Sequence, residues 1–115
     1  MTTLYGISNC DTIKKAKKYL TENNIPFTFH DYRKDGVDEA MITEFSTHLD
    51  WQLLVNKRGT TYRALSDEQK QSLTKESAIT LLCEQPAMIK RPVLVTNEQY
   101  HLGFKPAQYN EVFSK

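Results

Sequence analysis

The chain has 115 residues, of which 39% are hydrophobic and 25% are charged, so it can bury the core of one domain. Its 15 Lys and Arg residues against 14 Asp and Glu residues give a formal net charge of +1, which argues against a general nucleic-acid or membrane-surface binder. No apolar run approaches the ~20 residues of a membrane span. There is no signal-peptide pattern and no disulfide framework, so we expect a cytoplasmic protein with one domain over residues 1–115.

The first part of the chain predicts a strand, a helix and a second strand. Residues 3–7 form a short β-prone run that ends in a turn. Residues 12–24 carry apolar side chains at helical spacing, and residues 27–32 alternate with the period of a strand. Together they make a βαβ unit, which implies a parallel strand pair with a right-handed crossover.

The middle of the chain is predicted to be helical. Asp38 can cap a helix whose apolar side chains fall on one stripe. Ser66 and Gln69 have the spacing of a capping box, which indicates a second helix start. Residues 74–84 carry an apolar face that indicates a last central helix, and Pro86 ends it.

The end of the chain returns to strand. Residues 91–96 are rich in β-branched side chains, and a polar turn separates them from residues 100–104, which predicts an antiparallel hairpin. Residues 106–113 predict a short closing helix. The order βαβ, helices, ββα describes an α/β thioredoxin-like fold with a mixed four-stranded sheet and a helical insertion at about residues 37–88.

Cys10 is the strongest candidate for a reactive residue. It is predicted to lie between the first strand and the first helix, where backbone N–H groups and the helix dipole favour an anion. A thiolate there has a pKa well below the value of about 8.5 for a free cysteine, and Lys14 and Lys15 add positive potential. The alternative is a small buried side chain, because free cysteines are commonly buried. The spacing by itself leaves both interpretations open.

The sequence offers no second thiol next to Cys10. Position 13 is Ile, so residues 10–13 lack the second cysteine of a Cys-x-x-Cys pair. A redox cycle at Cys10 therefore needs an outside thiol or Cys83. Cys83 lies on the apolar face of the last central helix, where a core role is expected.

Two arginines stand at junctions where the fold could bring them to Cys10. Arg58 lies in a polar segment and Arg91 directly precedes Pro92 at a strand start. An arginine suits a site that holds a carboxylate or an oxyanion through two parallel hydrogen bonds. A solvated surface charge is the commoner alternative for either residue, and spacing alone does not show that they converge. The histidines have no metal-ligand spacing, so no metal site is predicted.

Four motifs in chain order resemble the arsenate reductase (ArsC)/Spx family, with the closest similarity to its YffB branch. They are residues 3–16 (TLYGISNCDTIKKA), 29–33 (FHDYR), 57–61 (KRGTT) and 89–92 (IKRP). They recur over nearly the whole chain. The resemblance implies a thioredoxin-like fold with a helical insertion and a cis peptide bond before Pro92.

The resemblance also assigns roles to residues. It implies that Cys10 is the nucleophile and that Arg91 and Arg58 bind substrate or glutathione. Asn9 and Lys105 are further candidates for this binding. Lys105 stands in the region where glutaredoxin-linked arsenate reductases carry a third oxyanion-binding arginine. A lysine offers a point charge rather than a fork, which counts against arsenate as the physiological substrate.

These roles predict a glutathione-dependent thiol reductase that uses a single nucleophilic cysteine, with glutathione as co-substrate and no metal. The expected partners are glutathione, glutaredoxin and an unidentified small-molecule or protein thiol substrate. No nucleic-acid or membrane partner is expected, and the protein is expected to be a monomer. The family offers two alternatives, a true arsenate reductase and an Spx-like non-enzymatic regulator or adaptor that binds RNA polymerase. Ile13 removes the Cys-x-x-Cys switch that Spx-type regulators usually carry, which makes the second alternative weaker.

Overall fold

The structure is a computed structural model that describes residues 2–8 and 10–114. In chain order its elements are β1 (Thr2–Gly6), α1 (Asp11–Glu22), β2 (Thr28–Asp31), α2 (Glu39–His48), α3 (Trp51–Leu54), α4 (Thr60–Arg63), α5 (Asp67–Gln71), α6 (Lys75–Glu84), a 3₁₀ turn (Pro86–Met88), β3 (Val93–Thr96), β4 (Gln99–Leu102) and α7 (Pro106–Phe113). They form two compact units. The first contains the described residues up to Lys34 and from Arg91 onward, and the second is Asp35–Lys90. Within the described ranges, no helix has the length and hydropathy needed to cross a membrane.

The first unit is built on a four-stranded sheet in the order β2-β1-β3-β4. β1 and β2 are parallel, whereas β3 is antiparallel to both β1 and β4. Tyr5 pairs with Val93, which in turn pairs with Leu102, and Gly6 pairs with Asp31. The carboxyl ends of β1, β2 and β4 therefore meet the start of β3 at one end of the sheet, called here the β1 carboxyl end. This is the mixed sheet of the predicted thioredoxin-like fold.

The helices α1 and α7 pack on one face of this sheet. The buried side chains of that core are Leu4, Ala16, Leu20, Leu94 and Tyr109. The rings of Tyr109 and Phe104 meet edge to face, with centroids 4.7 Å apart. The hydroxyl of Tyr19 donates to Oδ1 of Asn110 at 2.5 Å, which links α1 to α7. The core thus fixes α1, and with it the start of α1, against β1.

The second unit consists of helices. Here α2 packs on α6, and α6 packs on the 3₁₀ turn. Its buried hydrophobic side chains are Ile42, Phe45, Leu54, Val55, Ala78, Leu82, Met88 and Ile89. The backbone N–H of Asn56 donates to the Met88 carbonyl at 2.7 Å, and that of Lys90 donates to the Leu54 carbonyl at 2.7 Å. These two bonds join the segment after α3 to the residues that follow α6.

The predicted helix starts in this unit are confirmed. The Asp38 carboxylate accepts from the backbone N–H of Met41 at 2.9 Å. Ser66 and Gln69 form the expected capping box at the start of α5. Thr74 caps α6, with a capping box of its own. Side chains that accept hydrogen bonds from free N–H groups therefore set where these helices begin.

Several element ends differ from the prediction by one or two residues. β1 begins at Thr2, and β3 begins at Val93 because Pro92 has no N–H to give to the sheet. β4 ends before Gly103, whose φ is +76°. The turn between β3 and β4 consists of Asn97 and Glu98, both with positive φ, as in a type I′ turn. α4 buries no side chain, so no apolar periodicity in the sequence indicates it.

Candidate active site

The loop that carries Cys10 follows directly from β1. The N–H of Cys10 donates to the Ile7 carbonyl at 3.3 Å, which closes a tight turn between strand and helix. Two backbone hydrogen bonds hold the neighbouring strand ends at this place. The N–H of Tyr32 donates to the Gly6 carbonyl, and that of Gly103 donates to the Pro92 carbonyl, each at 2.9 Å. The β1 carboxyl end therefore brings together the start of α1, the end of β2, the start of β3 and the segment after β4.

Cys10 is the N-cap residue of α1 and is only partly buried. Its φ of −102° and ψ of 131° are those of extended backbone, as N-cap residues require. The first turn of α1 leaves backbone N–H groups without helical partners, and the Cys10 side chain lies beside them. The second interpretation drawn from the sequence, a fully buried core cysteine, is not what the structure shows.

The surroundings of the Cys10 sulfur favour its thiolate. Burial on its own raises the pKa of the Cys10 thiol. The backbone N–H groups of Ile13 and Thr12 oppose this effect, since they form hydrogen bonds with the sulfur. The Arg91 side chain also hydrogen-bonds to the sulfur and acts on it through its charge. The lowering contributions are larger in sum, so the pKa of Cys10 lies below its ordinary value.

Arg91 reaches this position from the start of β3. The peptide bond between Arg91 and Pro92 is cis, as the family resemblance implies. Position 6, at the end of β1, is a glycine. A Cβ there would lie 3.7 Å from Cβ of Arg91, which is an ordinary contact, but it would overlap the end of the Ile13 side chain. Ile13 is fully buried and cannot easily move aside. Gly6 is therefore required by the close approach of the Ile13 side chain of α1 to β1.

Asp31 also lies in this region, although the sequence motifs assigned it no role. It is the last residue of β2, is only 4% exposed, and pairs with Gly6. Its Oδ1 accepts from the backbone N–H of Arg33 at 2.9 Å. Burial on its own raises the pKa of this carboxyl, but hydrogen bonds from Arg33, the Ser8 side chain and Lys34, with the charge of Lys34, lower it overall. A charged residue that ends an alternating strand was the sequence signal for a buried carboxylate at the sheet end.

Three ring side chains lie together beside the same end of the sheet. The Tyr5 and His30 ring centroids are 5.1 Å apart, and those of Tyr5 and Tyr32 are 6.4 Å apart with nearly parallel rings. Tyr32 is 2% exposed. Burial and the neighbouring Tyr5 raise the pKa of the Tyr32 phenol, and the charge of Arg91 opposes them. Tyr32 therefore remains a neutral phenol near Arg91.

The structure places the other predicted binding residues in different settings. Lys105 is the exposed N-cap residue of α7 and follows β4 at the β1 carboxyl end. Arg58 is exposed in the turn between α3 and α4, in the helical unit. Its predicted approach to Cys10 stays a prediction. Asn9 lies outside the described residues.

Cys83 differs from the expectation of a plain core residue. It lies on α6 and is partly exposed. Burial raises the pKa of its thiol, and the nearby carboxylates of Glu39, Asp38 and Glu84 raise it further. The two cysteines thus have opposite environments, since only Cys10 lies at a helix start beside an arginine. Over residues 2–8 and 10–114, no cluster of three or more His, Cys, Asp or Glu side chains could hold a metal ion.

Solved structures with this architecture are closely similar to the chain. The YffB (PA3664) protein is 41% identical and superposes with a TM-score of 0.91, covering 96% of this chain and 97% of the other. An arsenate reductase (ArsC) related protein from Brucella melitensis is 43% identical with a TM-score of 0.81, covering 99% of this chain and 95% of the other. The similarity extends over both units.

Comparison of sequences gives the same result. An uncharacterized protein of Haemophilus influenzae is 45% identical over 114 residues, which cover 99% of this chain and 100% of the relative. The global transcriptional regulator Spx 2 of Lactococcus lactis is 24% identical over 106 residues, which cover 90% of this chain and 80% of the relative. The model of the ArsC family matches residues 5–112. The chain is a member of the ArsC family.

Proposed function

We propose that the protein is a glutathione-dependent thiol reductase that uses Cys10 as its single nucleophilic cysteine. The observation that supports this proposal most directly is the setting of Cys10, at the N-cap of α1 beside Arg91, with its pKa below the ordinary value. A thiolate is the reactive form of cysteine, so this setting raises the reactive fraction near neutral pH. Cys83, whose pKa is raised, lacks this advantage.

The proposed chemistry is two thiol–disulfide exchanges. The Cys10 thiolate attacks the glutathione sulfur of a mixed disulfide between glutathione and the substrate; a new S–S bond forms and the substrate leaves as a thiolate that takes up a proton. A second glutathione, having lost its proton, then attacks the Cys10 adduct, which releases glutathione disulfide and the Cys10 thiolate. In sum, the mixed disulfide and one free glutathione become the free substrate thiol and glutathione disulfide. Glutaredoxin is an alternative second thiol.

Positive groups at the β1 carboxyl end suit the anionic character of glutathione. Arg91 adjoins the sulfur, and its planar guanidinium can hold a carboxylate through two hydrogen bonds. Lys105 adds a point charge at the same sheet end. Arg58 and Asn9 complete the proposed set of binding residues on the basis of the family motifs. Because residues 10–13 contain no second cysteine, the thiol that resolves the Cys10 adduct in this proposal comes from outside the protein.

The direct test is to find which cysteine reacts with glutathione disulfide. We expect mass spectrometry of the protein after incubation to find the adduct on Cys10, and Cys10→Ser to abolish both the adduct and the turnover of a glutathione mixed disulfide. Cys83→Ser is the matched control and should keep both. An adduct confined to Cys83, or turnover that survives Cys10→Ser, would contradict the proposal. Replacing the disulfide by arsenate in the same assay tests the arsenate reductase alternative.

A second candidate is an Spx-like regulator or adaptor, supported by the 24% identity to the global transcriptional regulator Spx 2. In this case the fold would act as a binding module for RNA polymerase, and Cys10 need not react. A stable complex with purified RNA polymerase that is unaffected by Cys10→Ser would favour this candidate. Turnover that depends on Cys10, without such a complex, would favour the reductase. The fold alone does not choose, since one fold supports many functions.

A further inference from the structure

The loop between β1 and Cys10 is fastened to the end of β2. Ser8, two residues before Cys10, donates its side-chain hydroxyl to the Asp31 carboxylate. That carboxylate is buried and also accepts from the backbone N–H of Arg33 at 2.9 Å. Backbone pairing of Gly6 with Asp31 places the ends of β1 and β2 side by side. The loop is therefore connected to β2 by a side chain as well as by the sheet.

Because the hydrogen bond from Ser8 to Asp31 lies within the turn that leads to Cys10, it bears on the position of the Cys10 sulfur. Cys10 and Ile7 close a tight turn, and Ser8 lies inside that turn. The hydrogen bonds that favour the thiolate depend on where the turn leaves Cys10 relative to Ile13 and Thr12. A charge-assisted hydrogen bond to a buried carboxylate is short and directional, so it restricts the turn more than a solvated side chain would.

We propose that Ser8 and Asp31 are positioning residues, and that their hydrogen bond holds the Cys10 loop in the conformation in which the α1 N–H groups reach the sulfur. This proposal deepens the proposed function, but it concerns the reactivity of the Cys10 thiol and does not depend on glutathione. The partners described for the Cys10 sulfur are Ile13, Thr12 and Arg91, so Ser8 and Asp31 are proposed to act through the loop. Asp31 remains ionised at neutral pH because its hydrogen bonds lower its pKa, so the bond persists under physiological conditions.

The test is the pH dependence of Cys10 alkylation by iodoacetamide, a small neutral reagent, in the full chain. We expect Ser8→Ala to move the apparent pKa of the thiol upward, and a rise of one unit lowers the rate about tenfold at pH values well below that pKa. Ser8→Thr keeps a hydroxyl and should restore most of the wild-type profile. Ser72→Ala, an exposed serine at the end of α5, is the matched control and should leave the profile unchanged.

The outcomes separate positioning from simple stabilisation. A Ser8→Ala protein with the wild-type pH profile would overturn the proposal, even if it melted at a lower temperature. A shifted profile that Ser8→Thr fails to restore would also overturn it, because the hydroxyl would not be the cause. Failure of the glutathione reaction in the wild-type protein, with the iodoacetamide profiles as expected, would contradict the proposed function alone.

Discussion

At the scale of the residue, Arg91 is the side chain whose hydrogen bond and charge lower the pKa of Cys10. It acts on the sulfur twice, through a hydrogen bond and through its charge. Both effects favour the thiolate over the thiol, and both require the guanidinium at the start of β3. Because the thiolate is the reactive form, the reaction rate at a given pH depends on Arg91 even if the arginine never touches a substrate.

Replacing Arg91 by Ala should therefore raise the pKa of Cys10 and shift the alkylation profile to higher pH. Arg91→Lys should restore part of the wild-type profile, because a lysine keeps the positive charge but lacks the planar guanidinium with its paired N–H donors. Iodoacetamide kinetics between about pH 5 and 9 measure the profile, and calorimetry checks that each variant remains folded, since the Arg91 side chain is part-buried. Unchanged kinetics in Arg91→Ala would contradict this account of the thiolate.

The same series tests the predicted role of Arg58. Arg58→Ala should slow the formation of the Cys10 adduct with glutathione disulfide, because the family motif makes Arg58 a binding residue for anionic groups. If both alanine variants form the adduct at the wild-type rate, the proposed anion-binding set is wrong.

At the scale of the element, side-chain caps mark the starts of α2, α3, α5 and α6. Thr74 accepts from the N–H of Ser77 at 3.2 Å, and the Ser77 hydroxyl accepts from the N–H of Thr74 at 2.8 Å. This reciprocal pair satisfies two of the free N–H groups at the start of α6. The buried side chains of α6, Ala78 and Leu82, lie just beyond this start.

Thr74→Ala should destabilise the protein by about 1 kcal/mol, within the range of about 0.5–2 kcal/mol for lost N-caps. Thr80→Ala is the matched control, because Thr80 lies on the same helix, is exposed, and bonds only to the Glu76 carbonyl of its own helix among the contacts described. Alanine is the better helix former, so this control should be neutral or slightly stabilising. Urea unfolding measures both. Equal destabilisation by the two variants would argue against a capping role for Thr74.

At the scale of the whole molecule, Asp31 links stability to pH. Its pKa is lowered in the folded protein, so the folded state binds the proton less tightly than the unfolded state does. The stabilisation that the ionised Asp31 gives the folded state is therefore fully present above the pKa of about 3.9 that Asp31 has in the unfolded chain. It is lost as the pH falls through the lower pKa that Asp31 has in the folded state. Asp31 thus contributes to acid unfolding of the protein.

Asp31→Asn should lower the free energy of unfolding at pH 7 by about 1–3 kcal/mol, since an amide accepts the hydrogen bonds of Ser8 and Arg33 less well than a carboxylate. The difference from the wild type should shrink as the pH falls below about 4, where Asp31 begins to take up a proton in the unfolded chain, and it should disappear as the pH passes through the lower pKa of the folded state. Denaturant unfolding at several pH values measures this difference. Glu98→Gln, at an exposed position in the hairpin turn, should show no such pH dependence. A gap that stays constant down to pH 2 would contradict the assignment.

The sequence by itself determined the order of the elements and most of their starts. Alternation, helical spacing and caps such as Asp38 and Ser66 are local, and each depends on neighbours within a few residues. The cis bond at Pro92 came from the family motif instead, because most bonds between any residue and a following proline are trans. The position of Cys10 at the start of α1 was also readable, since a strand followed by a helix leaves one residue at the N-cap.

Only the tertiary structure decided what surrounds Cys10. Arg91 comes to the sulfur through the antiparallel pairing of β1 with β3, and Asp31 comes to Ser8 through the parallel pairing of β1 with β2. These contacts join residues far apart in the chain, so no local pattern carries them. The same holds for Cys83: its apolar helix face predicted a core residue, whereas the packing of α6 left it partly exposed beside carboxylates. Local physics sets the elements, and strand pairing decides which side chains meet at the ends of the sheet.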